Sequence, residues 1–357
     1  MSYTLKSGDA GLALFYHSAF LEHDTGDHPE SPQRLRAILA ELERHGVPES
    51  ALLEPQPVDL GLLGEVHDPR YAAVLERASA QGGGYWDLDT YISPGSYRAA
   101  TLAAGASVAA VDSAMSGRNG FALVRPPGHH ALYDSAMGFC LFNNVAVAAQ
   151  NALRKHGLER VIVVDWDVHH GNGTQDYFYE RDDVLFFSVH QYPFYPGTGA
   201  AGETGAGAGK GYTVNVPLPA GVGDGGYMGV FDEILAPVAR RYKPELIVVS
   251  AGYDAHMADP LGGMAVSTAG FYSMAERVRR VAEEIPECGG RVACVLEGGY
   301  NGQALAASVV ATIAAFEKSP QSQEAQDSTR TQPDLYRGRR PPDISRIISE
   351  VRRVHGL

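Results

Sequence analysis

Four short runs of apolar, largely β-branched residues constrain the fold more than any other feature of the chain. They are Arg160–Trp166, Val184–Val189, Leu246–Ala251 and Arg291–Leu296. Runs of this length with almost no polar positions read as strands buried on both faces. Helical patterns lie between and around them. Pro32–Arg44 carries leucine and isoleucine at three- and four-residue steps, and Tyr97–Met115 and Asn144–His156 are rich in alanine, a strong helix former. Tyr227–Tyr242 and Thr268–Ile285 continue the alternation. Strand and helix in turn predict an α/β fold, an open parallel sheet flanked by helices on both faces. Ligands in such sheets bind beyond the carboxyl ends of the strands. Three of the four runs lead there into polar clusters, DVHHGNG, GYDAH and EGGYN.

Composition sets the outer bounds. A chain of 357 residues with 45% hydrophobic content supports a sizeable core in one large α/β domain or two small ones. The net charge of −13 argues against direct nucleic-acid binding, because phosphates would be repelled. It suits a cationic partner such as a lysine-rich peptide or a polyamine, and equally serves plain solubility. Three cysteines, Cys140, Cys288 and Cys294, make no disulfide framework. The N-terminal stretch lacks the basic and apolar regions of a secretory signal. No run approaches the roughly 20 apolar residues of a membrane span. The expected setting is therefore the reducing cytoplasm. The glycine-rich stretch Gly197–Gly211 lacks GK[ST] and reads as a loop. Lys318–Asp343 is rich in Ser, Gln, Pro and charge and reads as a flexible linker to a short terminal helix, Ile344–His355. The expected division is a catalytic domain over 1–317, a linker over 318–343 and a helical end over 344–357.

The richest chemistry lies in Asp165-Trp166-Asp167-Val168-His169-His170-Gly171-Asn172-Gly173. Residues two apart in an extended strand point to the same side, so Asp165, Asp167 and His169 are expected to share a face at the strand end. Carboxylate and imidazole converging there suit a borderline metal such as zinc. Asp254, just past the run Leu246–Ala251, is the candidate for a third ligand. Three protein ligands leave a position open for water and a carbonyl, which is the catalytic pattern. The bland alternative is that these acids cap helices and face solvent. A second segment, Arg125-Pro126-Pro127-Gly128-His129-His130, places paired histidines on a stiffened loop. Beside a metal they suit a general base and an electrostatic or acid partner, with Asp165 and Asn172 as candidate orienters. A carboxylate raises a histidine's pKa more than an amide does, so the two would differ in role. A third segment, Glu297-Gly298-Gly299-Tyr300-Asn301, puts a tyrosine on a sharply bending backbone, where its hydroxyl can face an oxyanion.

Together these segments resemble the histone deacetylase superfamily, with DWDVHHGNGTQ closest to its class II branch and to bacterial deacetylase-like amidohydrolases. The resemblance runs from about His23 to about Ser308. It also takes in HDTG, HPESPQR, GFCLFNN, YPGTG, SAGYDAH with Asp259-Pro260-Leu261, and EGGYN. It implies an arginase/deacetylase-like open parallel sheet and a zinc-dependent amidohydrolase that removes acyl groups from amines. The zinc ligands would be Asp167, His169 and Asp254. His129 and His130 would be the tandem histidines, with His130 the general base, and Tyr300 the transition-state tyrosine. A structural potassium ion would sit on Asp165 and Ser188, with main-chain carbonyls around Asp167, His169 and Val189. Hydrolysis would be direct, so Cys140 reads as packing near the channel. The resemblance further implies a narrow channel at Gly138, Phe139 and Tyr195. Tyrosine departs there from the usual phenylalanine. Asp89 is expected to bond substrate backbone at the rim. Leu261 matches a position lining the mouth, where polyamine-selective relatives can carry an acid, and leucine there favours an acylated lysine side chain or other acylated amine. Hydroxamate-type inhibitors are expected to bind, and a homo-oligomer is compatible with the sequence. The alternatives are an acetylpolyamine amidohydrolase, a non-catalytic acyl-lysine binder, and a binuclear manganese ureohydrolase. The last would need further Asp/His ligands in place of the tandem-histidine loop, and the sequence does not supply them.

Overall fold

A computed structural model describes residue 5 and residues 11–319 and 340–357. Seven parallel strands form one sheet in the order β1-β2-β7-β6-β3-β4-β5. They are β1 (Ala13–Phe15), β2 (Gly120–Ala122), β3 (Val161–Asp165), β4 (Val184–Gln191), β5 (Thr213–Leu218), β6 (Leu246–Ala251) and β7 (Val292–Leu296). The four expected strands are the central four, β3, β4, β6 and β7, and β3, β6 and β7 are buried at every position. That burial is why their sequences are continuous apolar runs rather than alternating ones. Register pairs Asp165 with both Ser188 and Ser250, so the polar ends of three strands lie side by side.

The three strands of this sheet not foreseen are peripheral. β1 and β2 are three residues each, too short to show a period, and β5 runs into Pro217 at the sheet edge. The helical expectations hold to within a residue or two, with one break. Tyr227–Tyr242 lies within three consecutive pieces, Asp224–Val230, a π-turn at Phe231–Leu235, and Ala236–Tyr242. The glycine-rich stretch is a loop apart from one 3₁₀ turn at Gly207–Gly209. Ser345–His355 is a helix that packs beside β5, so the sheet edge there is covered. Most of the expected linker lies outside the described residues. Among those described, no helix is long and apolar enough to cross a membrane. All three cysteines are buried free thiols.

Helix capping fixes the elements nearest the polar strand ends. Asn143 caps the helix Asn144–His156 by accepting from the Ala146 N–H at 3.0 Å. Asn301 caps Gly302–Phe316 in the same way through Ala304, which anchors the segment that carries Tyr300. On the other side of that segment lies a buried charge cluster. Glu30 takes Arg125 Nε at 2.5 Å and Nη2 at 2.7 Å, and Arg34 Nη1 at 3.1 Å. Burial opposes the Glu30 carboxylate, but the Arg125 guanidinium and His23 hold its pKa well below the usual range.

Candidate active site

β3 ends at Asp165, so alternation along a strand does not present Asp165, Asp167 and His169 on one face. The chain instead curls. Asp165 Oδ1 accepts from the Asp167 N–H at 3.0 Å, and Asp167 Oδ1 accepts from the His169 N–H at 2.9 Å. These side-chain-to-backbone bonds are the local turns that Asp favours. The result separates the acids. Asp165 faces His129, while Asp167 and His169 turn toward Asp254 at the end of β6.

Asp167, His169 and Asp254 bring one ligand atom each to within 4.8 Å of one another. His169 Nδ1 lies 3.1 Å from Asp167 Oδ1 and 3.1 Å from Asp254 Oδ2. All three side chains are almost fully buried. Burial lowers the His169 pKa, but the two carboxylates outweigh it and raise it to about 10. Burial, then repulsion from Asp167, raises Asp254 to about 7. Two buried carboxylates thus demand positive charge at one point, and their donor set of two oxygens and one imidazole nitrogen suits zinc. Backbone approaches closely here. A Cβ on Gly252 would fall 2.0 Å from Asp167 Oδ2, and one on Gly298 would fall 2.1 Å from Asp254 Oδ2. Only glycine fits at either place.

The tandem histidines reach the same centre from the loop before Asn144. His129 Nδ1 lies 3.0 Å from Asp165 Oδ2, and its Nε2 is 3.8 Å from Asp167 Oδ1. His130 Nδ1 lies 2.7 Å from Asn172 Oδ1, which leaves Nε2 as the acceptor. Burial lowers both imidazoles. Asp167 and Asp165 reverse this for His129 and raise it to about 10. For His130 the charges of His129 and His169 add to burial and hold it well below the ordinary range. The pair therefore splits into a proton-holding ring and a neutral one.

Tyr300 follows β7. Its N–H donates to Asp259 Oδ2 at 2.6 Å, and the Arg34 guanidinium lies 5.0 Å from its ring centroid. Burial pushes its hydroxyl well above the usual tyrosine range, so it is a neutral donor. Phe139 meets the Tyr300 ring edge-on at 5.6 Å, and Tyr195 meets His130 edge-on at 5.2 Å. Gly138 has φ +56°, and a Cβ there would strike the His130 ring at 2.5 Å. Asp89 is half-buried, and its pKa is raised by burial and by Asp87. Its neighbour Thr90 accepts from the Phe139 N–H at 3.2 Å. Leu261 is half-buried beside Asp259 Oδ1, which accepts its N–H. Ser188 and Val189 are buried on β4; the Ser188 hydroxyl bonds His190 Nδ1 at 2.9 Å.

The sequence reading left four contributors without a role. Phe194 stacks on His169 at 5.4 Å. Asp259 holds the Tyr300 backbone, Arg34 donates to the carbonyls of Gly299 and Glu297, and Glu297 bonds the tandem-histidine loop. For the three charged ones, a charge set among apolar and glycine positions, as in LEGGY, was the available signal.

The sequence matches the histone deacetylase domain over residues 28–316. It is 40% identical over 355 residues to a probable deacetylase of Archaeoglobus fulgidus, covering 96% of this chain and 97% of that one. It is 40% identical over 324 residues to the polyamine deacetylase HDAC10 of Homo sapiens, covering 85% of this chain and 47% of that one. Its structure resembles the crystal structure of the HDA15 HD domain with a TM-score of 0.82 at 39% identity, covering 91% of this chain and 93% of that one. The parallel sheet with its polar strand ends is thus an arginase/deacetylase-like fold, and the chain belongs to the histone deacetylase family.

Proposed function

We propose that this protein is a zinc-dependent amidohydrolase that deacylates N-acyl amines, with acyl-lysine side chains in proteins or peptides as the preferred class. The observation that carries the reading is the convergence of Asp167, His169 and Asp254 on one buried point beside two histidines, one bonded to a carboxylate and the other to an amide oxygen. These three residues would hold the zinc ion, which when bound polarises the substrate carbonyl and acidifies water. His130 Nε2 accepts the proton of the attacking water, because Asn172 keeps the proton of the neutral ring on Nδ1. His129, charged against Asp165, donates toward the leaving amine. The Tyr300 hydroxyl donates to the carbonyl oxygen as negative charge develops on it, a bond stronger in the transition state than in the ground state. Phe139 and Tyr195 line the approach. Asp165 and Ser188, paired across β3 and β4, are the side chains proposed for a structural potassium ion.

A second reading is deacetylation of polyamines, favoured by the human relative of that name. It shares every residue above. Leu261 speaks against it, because it offers a second amine no charge partner. The deciding experiment measures acetate or acyl release from acetyl-lysine peptides, longer acyl-lysines and acetylpolyamines, with and without zinc and with a hydroxamate competitor. Zinc-dependent turnover of acyl-lysine peptides at the highest kcat/KM supports the proposal. Preference for acetylpolyamines selects the second reading. Binding of acyl-lysine without turnover would make the protein a recognition module.

A further inference from the structure

Glu297 is wholly buried at the end of β7, and the mechanism above does not use it. Its Oε2 accepts from two successive backbone N–H groups, Gly128 at 2.6 Å and His129 at 3.1 Å. Its Oε1 has no hydrogen-bond partner among the described residues. A buried carboxylate with one oxygen unsatisfied is costly, so the two bonds it does make should be ones the fold depends on. They fall on the residue before the tandem histidines and on the first of them.

The rest of the loop is pinned from other directions. The His129 carbonyl accepts from the N–H groups of Gly173 and Thr174 at 3.1 and 3.2 Å. Asn144 Nδ2 donates to the Pro126 carbonyl at 3.1 Å. A Cβ on Gly128 would come within 2.5 Å of the Asn144 backbone nitrogen. Without Glu297 the N–H groups of Gly128 and His129 would be buried donors with nothing to meet, on the side facing β7. The same strand end also bears on the metal-ligand cluster, because the Gly298 N–H donates to Asp167 Oδ2 at 2.8 Å. One dipeptide, Glu297-Gly298, therefore contacts both the histidine loop and a proposed metal ligand.

We propose that Glu297 is a positioning residue whose carboxylate oxygen seats the Gly128–His129 backbone and so sets where the His129 and His130 rings stand relative to Asp167. What matters on this account is the reach of an acceptor oxygen, not the charge. Glu297→Gln keeps an oxygen at that distance and removes the charge. Glu297→Asp keeps the charge and shortens the side chain by one carbon–carbon bond, roughly 1.5 Å. N–H···O bonds span only about 2.7–3.2 Å, so that loss breaks both bonds unless the backbone moves. Displacing a reacting group by about 1 Å costs up to about a hundredfold in rate.

The test compares both variants with the parent enzyme, zinc-loaded. The kinetic arm rests on the deacylase reading and is read only with a substrate that the parent turns over. The expected result is that Glu297→Gln keeps kcat within about threefold, while Glu297→Asp lowers kcat at least tenfold with KM within twofold and one metal ion per chain. Equal kcat in the two variants, or a more active Glu297→Asp, would overturn the proposal. The second arm needs no substrate. Crystal structures should show residues 127–130 displaced in Glu297→Asp and unmoved in Glu297→Gln. An unmoved loop in Glu297→Asp overturns it whatever the activity, and a parent without turnover counts against the deacylase reading alone.

Discussion

The imidazole of His130 bonds through Nδ1 to the amide oxygen of Asn172 across 2.7 Å, whereas its neighbour His129 bonds through Nδ1 to a carboxylate, Asp165. An amide oxygen fixes the tautomer of a ring without stabilising its charged form as strongly as a carboxylate does. It adds to larger causes, burial and the charges of His129 and His169 that keep His130 neutral, and the charges of Asp167 and then Asp165 that hold a proton on His129.

Asn172→Asp should narrow the difference between the two rings. A carboxylate behind His130 stabilises its imidazolium and raises its pKa. The base form is then lost at higher pH as pH falls, so the acid limb of kcat/KM should move upward by about one pH unit or more. A pH–rate profile of the variant against the parent measures it. An acid limb that stays in place would remove His130 as the group whose deprotonated form is required.

Tyr300→Phe should separate chemistry from metal binding. The ring remains packed against Phe139 and beneath Arg34, and only the hydroxyl is lost. Removing a donor to a developing oxyanion costs about 10²–10³ in kcat. Metal content by elemental analysis should stay near one ion per chain. Asp254→Ala makes the complementary case: it leaves Asp167 and His169 with one acid fewer, and it should lose the metal. Full zinc occupancy in that variant would reject the ligand assignment.

The sheet was legible where its strands are both long and buried on both faces. β3, β4, β6 and β7 announce themselves as apolar runs, while β1 and β2 are too short to carry any period. The residues of the site were legible as types, but the reason they converge was not. Alternation along a strand would have put Asp165 with Asp167 and His169. The chain turns at Asp165, and hydrogen bonds from the backbone to the acids aim them at different partners. Glu297 and Asp259 went unassigned because each bonds backbone N–H groups distant in sequence. Such contacts depend on how elements pack and leave no periodic trace.

Buried histidines away from the site should shape stability against acid. His67 is buried, with Nδ1 donating to the Leu132 carbonyl at 2.8 Å and Nε2 accepting from the Asn143 N–H at 2.8 Å. A proton on Nε2 would face that N–H, and burial lowers the pKa to about 4. Above an unfolded value of about 6.5 the ring is neutral in both states and contributes no pH dependence. Between 6.5 and 4 the unfolded chain binds the proton first, so stability falls as pH falls, by roughly 1.4 kcal/mol per unit where the difference is one proton. His67→Gln removes that titration. Denaturant unfolding at pH 7 and pH 5 should show a smaller acid loss in the variant, whatever its stability at pH 7. An identical loss would mean that His67 is already protonated in the fold.

Leu261 tests substrate class directly. It lies half-buried, its N–H held by Asp259. If Leu261 lines the channel mouth, as the family resemblance implies, an acyl-lysine in a peptide presents only an aliphatic stem beside it, whereas an acetylpolyamine carries further ammonium groups along its length. Leucine solvates the first and leaves the second without a partner. Leu261→Glu should therefore raise kcat/KM for acetylpolyamines relative to an acetyl-lysine peptide by about tenfold or more, the equivalent of roughly 1.4 kcal/mol. The gain should shrink as ionic strength rises, since the new contact is between charges near solvent. A ratio that does not move, or moves equally with Leu261→Gln, would mean that charge at this position does not select the substrate.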